Sequence, residues 1–236
     1  MDIRGERKCT ACGARWSYYE TGEIACPDCG SLRSVGVDER RTHTAGTTTL
    51  DLTPVRADSD TEPTRELADR AADLTREYVK TVGFIEAGEL RPLSGTYVGA
   101  CELRRVAATV SHLLRLDQDE ELYFLELLRG VDSGERPAPD EVPATFRPER
   151  GLAITAAIDA YLTDLRRVLD DREPGVDRVL SRVTAERKRI EALDGDVDPR
   201  DAERLLETVQ DLGEYLRTDD ESALARALDR IDREEI

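Results

Sequence analysis

The sequence predicts a mainly α-helical protein in which a small N-terminal β module precedes an antiparallel bundle of about seven helices. Three observations support this fold class. Four cysteines are concentrated between residues 9 and 30, together with strand-forming aromatic residues. From Pro63 onward, apolar residues recur every three or four positions, which is the period of an amphipathic helix. Capping residues and proline- or glycine-containing breaks divide this region into segments of helical length.

The N-terminal module, residues 1–45, is organised around two Cys-x2-Cys pairs. Thirteen residues separate the pairs formed by Cys9, Cys12, Cys26 and Cys29. Two residues between thiols let both sulfurs of a pair bind one ion, and the intervening stretch is long enough for a short hairpin. Gly13 and Gly30 each follow the second cysteine of a pair, where a positive φ helps the chain leave the turn.

Four thiolates are soft ligands, which favour a metal such as zinc and exclude magnesium or calcium. We predict one structural Zn²⁺, and an iron site of rubredoxin type with the same ligands is the alternative. Four protein ligands leave no position for a reactive water. Because the module has few apolar residues, the binding energy of the ion, roughly 10–16 kcal/mol in small zinc peptides, becomes its folding energy.

Between the two pairs, "ARWSYYE" predicts a strand, Gly22 a turn and "IAC" the return to the second pair, which together form a zinc ribbon. Residues 9–30 resemble the ribbon of the archaeal and eukaryotic transcription factor B class, and residues 3–37 resemble a group of uncharacterised haloarchaeal proteins with that ribbon. The resemblance to factor B covers about forty residues and implies a zinc-binding protein for which transcription is one candidate role. Similar ribbons occur in ribosomal proteins, polymerase subunits and unrelated enzymes, so the motif indicates metal more strongly than function.

The remainder of the chain divides by composition. Residues 46–61 are rich in Thr, Asp and Gly and are interpreted as a linker that allows domain motion. Residues 62–132 form a first helical block, residues 133–148 a Pro-rich connection, and residues 149–236 a helical bundle.

In the first block, an apolar stripe predicts a helix over about residues 63–87, which "EAGELRPLSGT" ends. Apolar positions from Leu103 to Leu113 predict the second helix. Asp117 with Glu120 has the spacing of a capping box and starts the third.

The second block contains four further helices. Stripes over residues 154–168 and 176–190 indicate the first two. The sequence "DPRD" at 198–201 places an acidic cap and then a proline at the start of the third, and Thr218 with Glu221 is predicted to cap the last. Each helix has one apolar face, which it must bury against the other helices. Because the segments are short and capped, an antiparallel bundle is favoured over extended coiled-coil hairpins. The length would suit two cyclin repeats, as in factor B, but the sequence of that family is not found there.

The net charge is -17 with a pI of about 4.6, and lysine occurs only at positions 8, 80 and 188. Acid excess with scarce lysine is typical of an extreme halophile, and a moderately acidic protein from a GC-rich genome is the alternative. No apolar run is long enough to span a membrane, and the N-terminus lacks the core of a signal peptide, so we expect a cytoplasmic protein.

The ribbon is the least acidic part, with seven acidic and seven basic residues among residues 1–45. Candidate partner-binding residues are Arg15, Trp16, Tyr18, Tyr19 and Arg33. The alternative is that Trp16 and one tyrosine cover the metal site as a miniature core. We expect a protein partner such as polymerase, the ribosome or a regulator, and no membrane or small-molecule substrate. Contact with DNA or RNA is left open, and the ribbon is the only part that would make it.

No catalytic site is predicted. Cys101 lies among apolar neighbours and His112 on a helix, and His43 is interpreted as a surface loop residue. Two hypotheses follow: a non-enzymatic adaptor that docks on transcription or translation machinery through the ribbon, or a protein-binding helical scaffold with a purely structural zinc module.

Overall fold

The computed structural model describes residues 1–169 and 173–233 and confirms the mainly α fold. The strands are short: β1 Asp2–Ile3, β2 Glu6–Cys9, β3 Arg15–Ser17, β4 Ser34–Gly36, β5 Arg41–Thr42, β6 Ile85–Glu86 and β7 Glu89–Leu90. The helices are α1 Tyr18–Thr21, α2 Thr53–Arg56, α3 Thr64–Thr81, α4 Gly95–His112, α5 Gln118–Gly130, α6 Arg147–Val168, α7 Pro174–Ala192, α8 Pro199–Thr218 and α9 Glu221–Arg233. Within the described ranges, the seven helices α3 to α9 correspond to the seven that the sequence predicts.

The ribbon contains a three-stranded antiparallel sheet in the order β3-β2-β4, and β1 pairs separately with β5. The expected strand through "ARWSYYE" stops at Ser17, and Tyr18–Thr21 forms one helical turn instead. This turn ends because Gly22, with a φ of 67°, donates its N–H to the Tyr18 carbonyl at 2.8 Å. The prediction that the "IAC" segment is the returning strand is wrong. The third strand of the sheet is Ser34–Gly36, which follows the second cysteine pair.

The first long helix is shorter than predicted. It ends at Thr81, and β6 and β7 form a hairpin in place of its expected last turns. Ala87 and Gly88, between the two strands, both have positive φ, which is the requirement of a tight two-residue hairpin turn. Ile85, which continues the apolar stripe in the sequence, is therefore a buried strand residue.

Capping residues define the starts of several helices. The predicted capping box of α5 is confirmed: Asp117 Oδ1 accepts the Glu120 N–H at 2.9 Å, and Glu120 Oε2 accepts the Asp117 N–H at 3.0 Å. Asp198 also caps α8, where its carboxylate accepts an N–H at 2.9 Å. The predicted cap of α9 is wrong, because Thr218 lies in the last turn of α8 and the Asp220 carboxylate accepts the Ser222 N–H at 3.0 Å instead.

The two predicted helical blocks share one hydrophobic core. Helix α4 packs against both α3 and α6, and α6 packs against α8, so the first block is continuous with the second. Phe84 is at the centre, with its ring 4.8 Å from that of Tyr97 and 5.1 Å from that of Tyr161, both edge to face. Val142 and Phe146 are buried in the same core, so the Pro-rich connection packs between the two blocks.

Residues 46–61, the predicted linker, are attached to the body. Leu52 and Val55 are buried in the core, and Val55 lies on α2, which packs against α3. Asp132, two residues beyond the end of α5, accepts the Leu52 N–H at 3.1 Å and pairs with Arg56 at 2.7 Å. The segment therefore differs from a free tether, because its two apolar side chains are buried by the body.

A polar junction at Thr44 and Asp164 helps to join the ribbon to the body. Thr44 donates its hydroxyl to Asp164 Oδ2 at 2.5 Å and accepts the Ile85 N–H at 3.0 Å. Asp164 also accepts the Phe84 N–H at 2.8 Å, so one carboxylate on α6 holds both chain segments. No helix in the part of the chain that the structure describes combines the length and apolarity that a membrane span requires.

Candidate metal centre

The four predicted ligands lie at one point of the ribbon. The Sγ atoms of Cys9, Cys12, Cys26 and Cys29 all lie within 4.8 Å of one another. The Cys9 and Cys29 sulfurs are 3.7 Å apart, and the Cys12 and Cys26 sulfurs are 3.6 Å apart. A tetrahedral site with metal–sulfur bonds of about 2.3 Å places its sulfurs about 3.8 Å apart, whereas a disulfide needs about 2.05 Å. The arrangement therefore fits one tetrahedral ion and not a disulfide.

Two equivalent backbone turns position the thiols. In the first turn, Cys9 donates its N–H to the Ala14 carbonyl at 2.8 Å, and Gly13 donates to the Cys9 carbonyl at 3.1 Å. The second turn repeats both bonds at the same relative positions, with lengths of 3.0 and 2.8 Å. Gly13 and Gly30 have φ values of 84° and 70°, as the sequence predicts. This repetition explains why each pair directs both sulfurs to the same side.

The thiols of the cluster do not ionise equally easily. Hydrogen bonding from the Cys12 N–H, opposed by burial and assisted by Ala11, lowers the pKa of Cys9 to about 6. At Cys12 the Ala14 N–H lowers the pKa, but the neighbouring thiols, Cys29 first, outweigh it and raise the pKa to about 12. One thiolate is thus favoured, while hydrogen bonds with the neighbouring sulfurs hold the next thiol in its protonated form. A divalent cation supplies the charge that allows all four to ionise.

Trp16 forms the miniature core of the ribbon. Its side chain is 7% exposed and packs with the buried Cys9 and Cys26. The indole Nε1–H donates to the Glu23 carbonyl at 2.9 Å, which satisfies its polar atom. Trp16 therefore covers the metal site, as in the alternative interpretation, and its ring is not available for stacking on a partner.

The two tyrosines lie beside the β1–β5 pair. The Tyr19 ring is 4.9 Å from that of His43, its hydroxyl donates to the Ile3 carbonyl at 3.4 Å, and its ring edge covers Gly5. Tyr18 is half-buried, with its ring 6.2 Å from that of His43. His43 is itself partly buried and accepts the Ala87 N–H at 3.4 Å, so it is a packing residue and not a free surface residue.

The opposite face of the ribbon sheet is exposed. Lys8 pairs in register with Arg15 on β3 and with Val35 on β4. Because side chains alternate along a strand, these three residues lie on the face opposite Cys9 and Trp16. All three are exposed, and we call Lys8, Arg15 and Val35 the exposed ribbon face. The sequence prediction includes Arg15 but misses Lys8 and Val35, because only the strand register places them beside it.

Arg33, another predicted partner-binding residue, is exposed directly before β4. Its carbonyl accepts the Thr10 N–H at 2.9 Å, which extends the pairing of β4 with β2 by one residue. Arg33 therefore lies next to the exposed ribbon face, at its edge nearest the metal site.

The chain matches a family of unknown function, DUF7117, over residues 1–231. The chain belongs to this family. The match extends from the ribbon to α9, so the family unit includes both the cysteine cluster and the helical body. No curated protein and no solved structure matches the chain.

The helical body contains a buried ionic network that the sequence analysis misses. Glu102 on α4 is completely buried and accepts hydrogen bonds from the Tyr123 hydroxyl and from Arg136, the latter at 2.9 Å. Glu203 on α8 accepts from Arg136 at 2.9 Å and from Arg150 at 2.6 Å. Burial opposes the charge of Arg150, but Glu102 raises its pKa above that of a free guanidinium. The negative charges of Glu102 and Glu203 balance the positive charges of Arg136 and Arg150, so we interpret the network as structural.

Two further residues named in the sequence analysis, Cys101 and His112, both lie on α4. Cys101 is buried within α4, and burial raises the pKa of its thiol to about 12, so its nucleophilic thiolate form is strongly disfavoured. His112 is exposed at the last residue of α4.

Proposed function

We propose that the protein is a non-enzymatic adaptor whose N-terminal zinc ribbon docks on transcription or translation machinery in the cytoplasm. The helical body is a carrier that is attached to the ribbon through residues 41–56. The observation that carries the proposal is the exposed ribbon face, because a sheet with only one covered face has a second face for a partner.

Zinc is the metal of this proposal. The sulfur separations of 3.6 and 3.7 Å suit the zinc–thiolate bond length, and thiolate ligands favour zinc over hard cations. An iron site with the same four ligands would keep the same fold. In either case the four protein ligands leave no position for substrate, which supports a structural ion and a protein that is not an enzyme.

The chemistry of the exposed ribbon face suits an acidic or polar partner. Lys8 and Arg15 carry positive charge. Val35, together with the exposed Val37 just after β4, adds apolar surface. Residues 1–45 have balanced charge, so the net charge of -17 belongs entirely to the rest of the chain. The acidic body would repel an anionic surface, and docking through the ribbon keeps the body at a distance.

Support for transcription comes from the resemblance of residues 9–30 to the ribbon of the factor B class, and support for a halophilic setting comes from the acid excess. Polymerase is therefore the first partner to test and the ribosome the second. The competing scaffold hypothesis is favoured by Trp16 and Tyr19, which are used inside the module and not at its surface.

Affinity capture from cell extract at high ionic strength tests the proposal. The ribbon variant combines Arg15→Glu with Val35→Ser, and the control combines Arg76→Glu with Leu74→Ser, which change the same charge and apolarity on the exposed surface of α3. We expect polymerase or ribosomal proteins with the native chain and the control, and their loss with the ribbon variant. Both variants should retain their metal.

Capture of the same partners by the ribbon variant would contradict the adaptor and favour the scaffold. Crosslinking in native-like salt then separates the kinds of contact: labelled ribbon peptides with RNA or DNA would show nucleic-acid contact, and crosslinks to protein only would show a protein surface.

A further inference from the structure

A groove of about 870 Å³ lies on the helical body where α7, α8 and α9 meet. Five arginines line it: Arg182, Arg189, Arg204, Arg230 and Arg233. Three acidic residues line it as well: Glu186, Asp201 and Glu207. The chain as a whole has 51 acidic residues against 34 lysines and arginines, whereas arginines outnumber acidic residues among the side chains that line this groove.

The ion pairs hold most of these arginines along their own helices. Arg189 pairs with a carboxylate three residues earlier on α7, and Arg204 does the same on α8. Arg233 pairs with a carboxylate four residues earlier on α9. Arg230 reaches across from α9 to α8, where it pairs with Asp211 and, at 3.2 Å, with Glu207. The three intrahelical pairs orient their guanidinium groups without bridging the groove, and three helices therefore bring guanidinium groups, each beside a carboxylate, to one shared space.

A multiply charged anion in this space can contact guanidinium groups of three helices at once. Guanidinium groups bind phosphate with two parallel hydrogen bonds and keep their charge at every physiological pH. Pockets of roughly 300–1,000 Å³ accommodate ligands of nucleotide size. We propose that the groove binds a small molecule with two or more phosphate groups, either a nucleoside triphosphate or an inorganic polyphosphate.

This site extends the proposed function, because it lies on the helical body and uses no ribbon residue. The sequence gives no indication of it, since no Gly-rich phosphate loop is present and the five arginines are distributed over residues 182–233. Only the packing of three helices brings them to one groove.

Titration calorimetry of the full metal-loaded chain with inorganic tripolyphosphate, and separately with ATP, tests the proposal. We expect saturable binding that weakens between 0.2 M and 2 M KCl, because salt screens exposed charges. The groove variant is Arg204→Gln with Arg233→Gln, whose side chains are 56% and 77% exposed, so the fold should be kept. It should bind either probe at least about tenfold more weakly, because it removes two charge-assisted phosphate contacts.

The control variant is Arg76→Gln with Lys80→Gln, which removes two exposed and similarly paired charges from α3. It should bind as the native chain does, and circular dichroism should show equal helix content in all three proteins. Equal affinity for the two probes would identify the phosphate chain as the recognised group, and tighter binding of ATP would add a contribution from the nucleoside.

The absence of saturable binding of both probes by the native chain would overturn the proposal. Equal weakening in the control variant would overturn it too, because the effect would then be one of net charge. Binding of an RNA oligonucleotide without any binding of tripolyphosphate would replace the small molecule with a nucleic acid.

Discussion

Replacing Glu102 by glutamine should destabilise the helical body strongly. The carboxylate is completely buried, accepts from Tyr123 and Arg136, and lies 3.5 Å from a nitrogen of Arg150. Without its charge, Arg136 and Arg150 share the single carboxylate of Glu203 and one positive charge remains unbalanced in the interior. Breaking a buried ion pair by removing one partner costs about 3–5 kcal/mol. The glutamine carbonyl can still accept from Tyr123, which places the expected loss near the lower end.

Urea denaturation followed by circular dichroism measures this loss in the metal-loaded protein. In thermal denaturation of a chain of this size, the same loss of about 3–5 kcal/mol would lower Tm by about 6 to 20 °C. The control is Asp73→Asn, which breaks an exposed pair with Arg76 and should cost less than about 1 kcal/mol. A loss for Glu102→Gln no larger than that of the control would refute the view that the buried network stabilises the fold.

Three further predictions concern pH, packing and thiol reactivity. Burial alone would raise the pKa of Glu203, but Arg136 and Arg150 hold that pKa below its ordinary value of 4.5. The carboxylate therefore stabilises the fold fully above pH 4.5, and this contribution is lost as the pH falls further. Urea denaturation at several pH values should show the decline in stability, and Glu203→Gln should make the pH dependence flatter. Gly151→Ala should cost about 1–3 kcal/mol because its Cβ would lie 2.3 Å from the Gly195 carbonyl, whereas Gly175→Ala, with nothing nearer than 3.4 Å, should be close to neutral in the same assay. Cys101 should remain unalkylated in the native protein at pH 8, since it is buried and its pKa is raised, and modification before global unfolding, seen by mass spectrometry, would contradict its placement.

The metal site and the long helices were predictable because each depends on local patterns. The Cys-x2-Cys spacing specifies a turn that carries both thiols, and the structure shows the two turns with equivalent hydrogen bonds. The capping box of Asp117 and Glu120 is confirmed for the same reason, since a cap is formed within four residues. The Arg147–Val168 helix follows from its apolar period.

The features that sequence reasoning missed depend on contacts between distant segments. Tyr18 and Tyr19 favour a strand by propensity, but packing against His43 and the positive φ of Gly22 select a helical turn. Glu102 and Arg150 resemble surface charges in the sequence. Arg150 lies four residues before the buried Ile154, on the same stripe, and that position was the one available signal of a buried charge. The partner of such a charge is found only in the folded chain.

The buried position of residues 52–55 was also not evident. The segment is polar on average, and only Leu52 and Val55 are buried, so composition indicates a linker. Its attachment depends on Asp132, eighty residues away from Leu52 along the chain, and a separation of that size lies outside any local pattern.

The most direct test is the metal content of the purified full chain, measured by elemental analysis together with the number of thiols that react in the native state. The account predicts one zinc per chain, four protected thiols in the ribbon, and loss of the metal in Cys12→Ser but not in the control Cys101→Ser. A chain without stoichiometric metal, in which Cys9, Cys12, Cys26 and Cys29 are all freely alkylated, would contradict it.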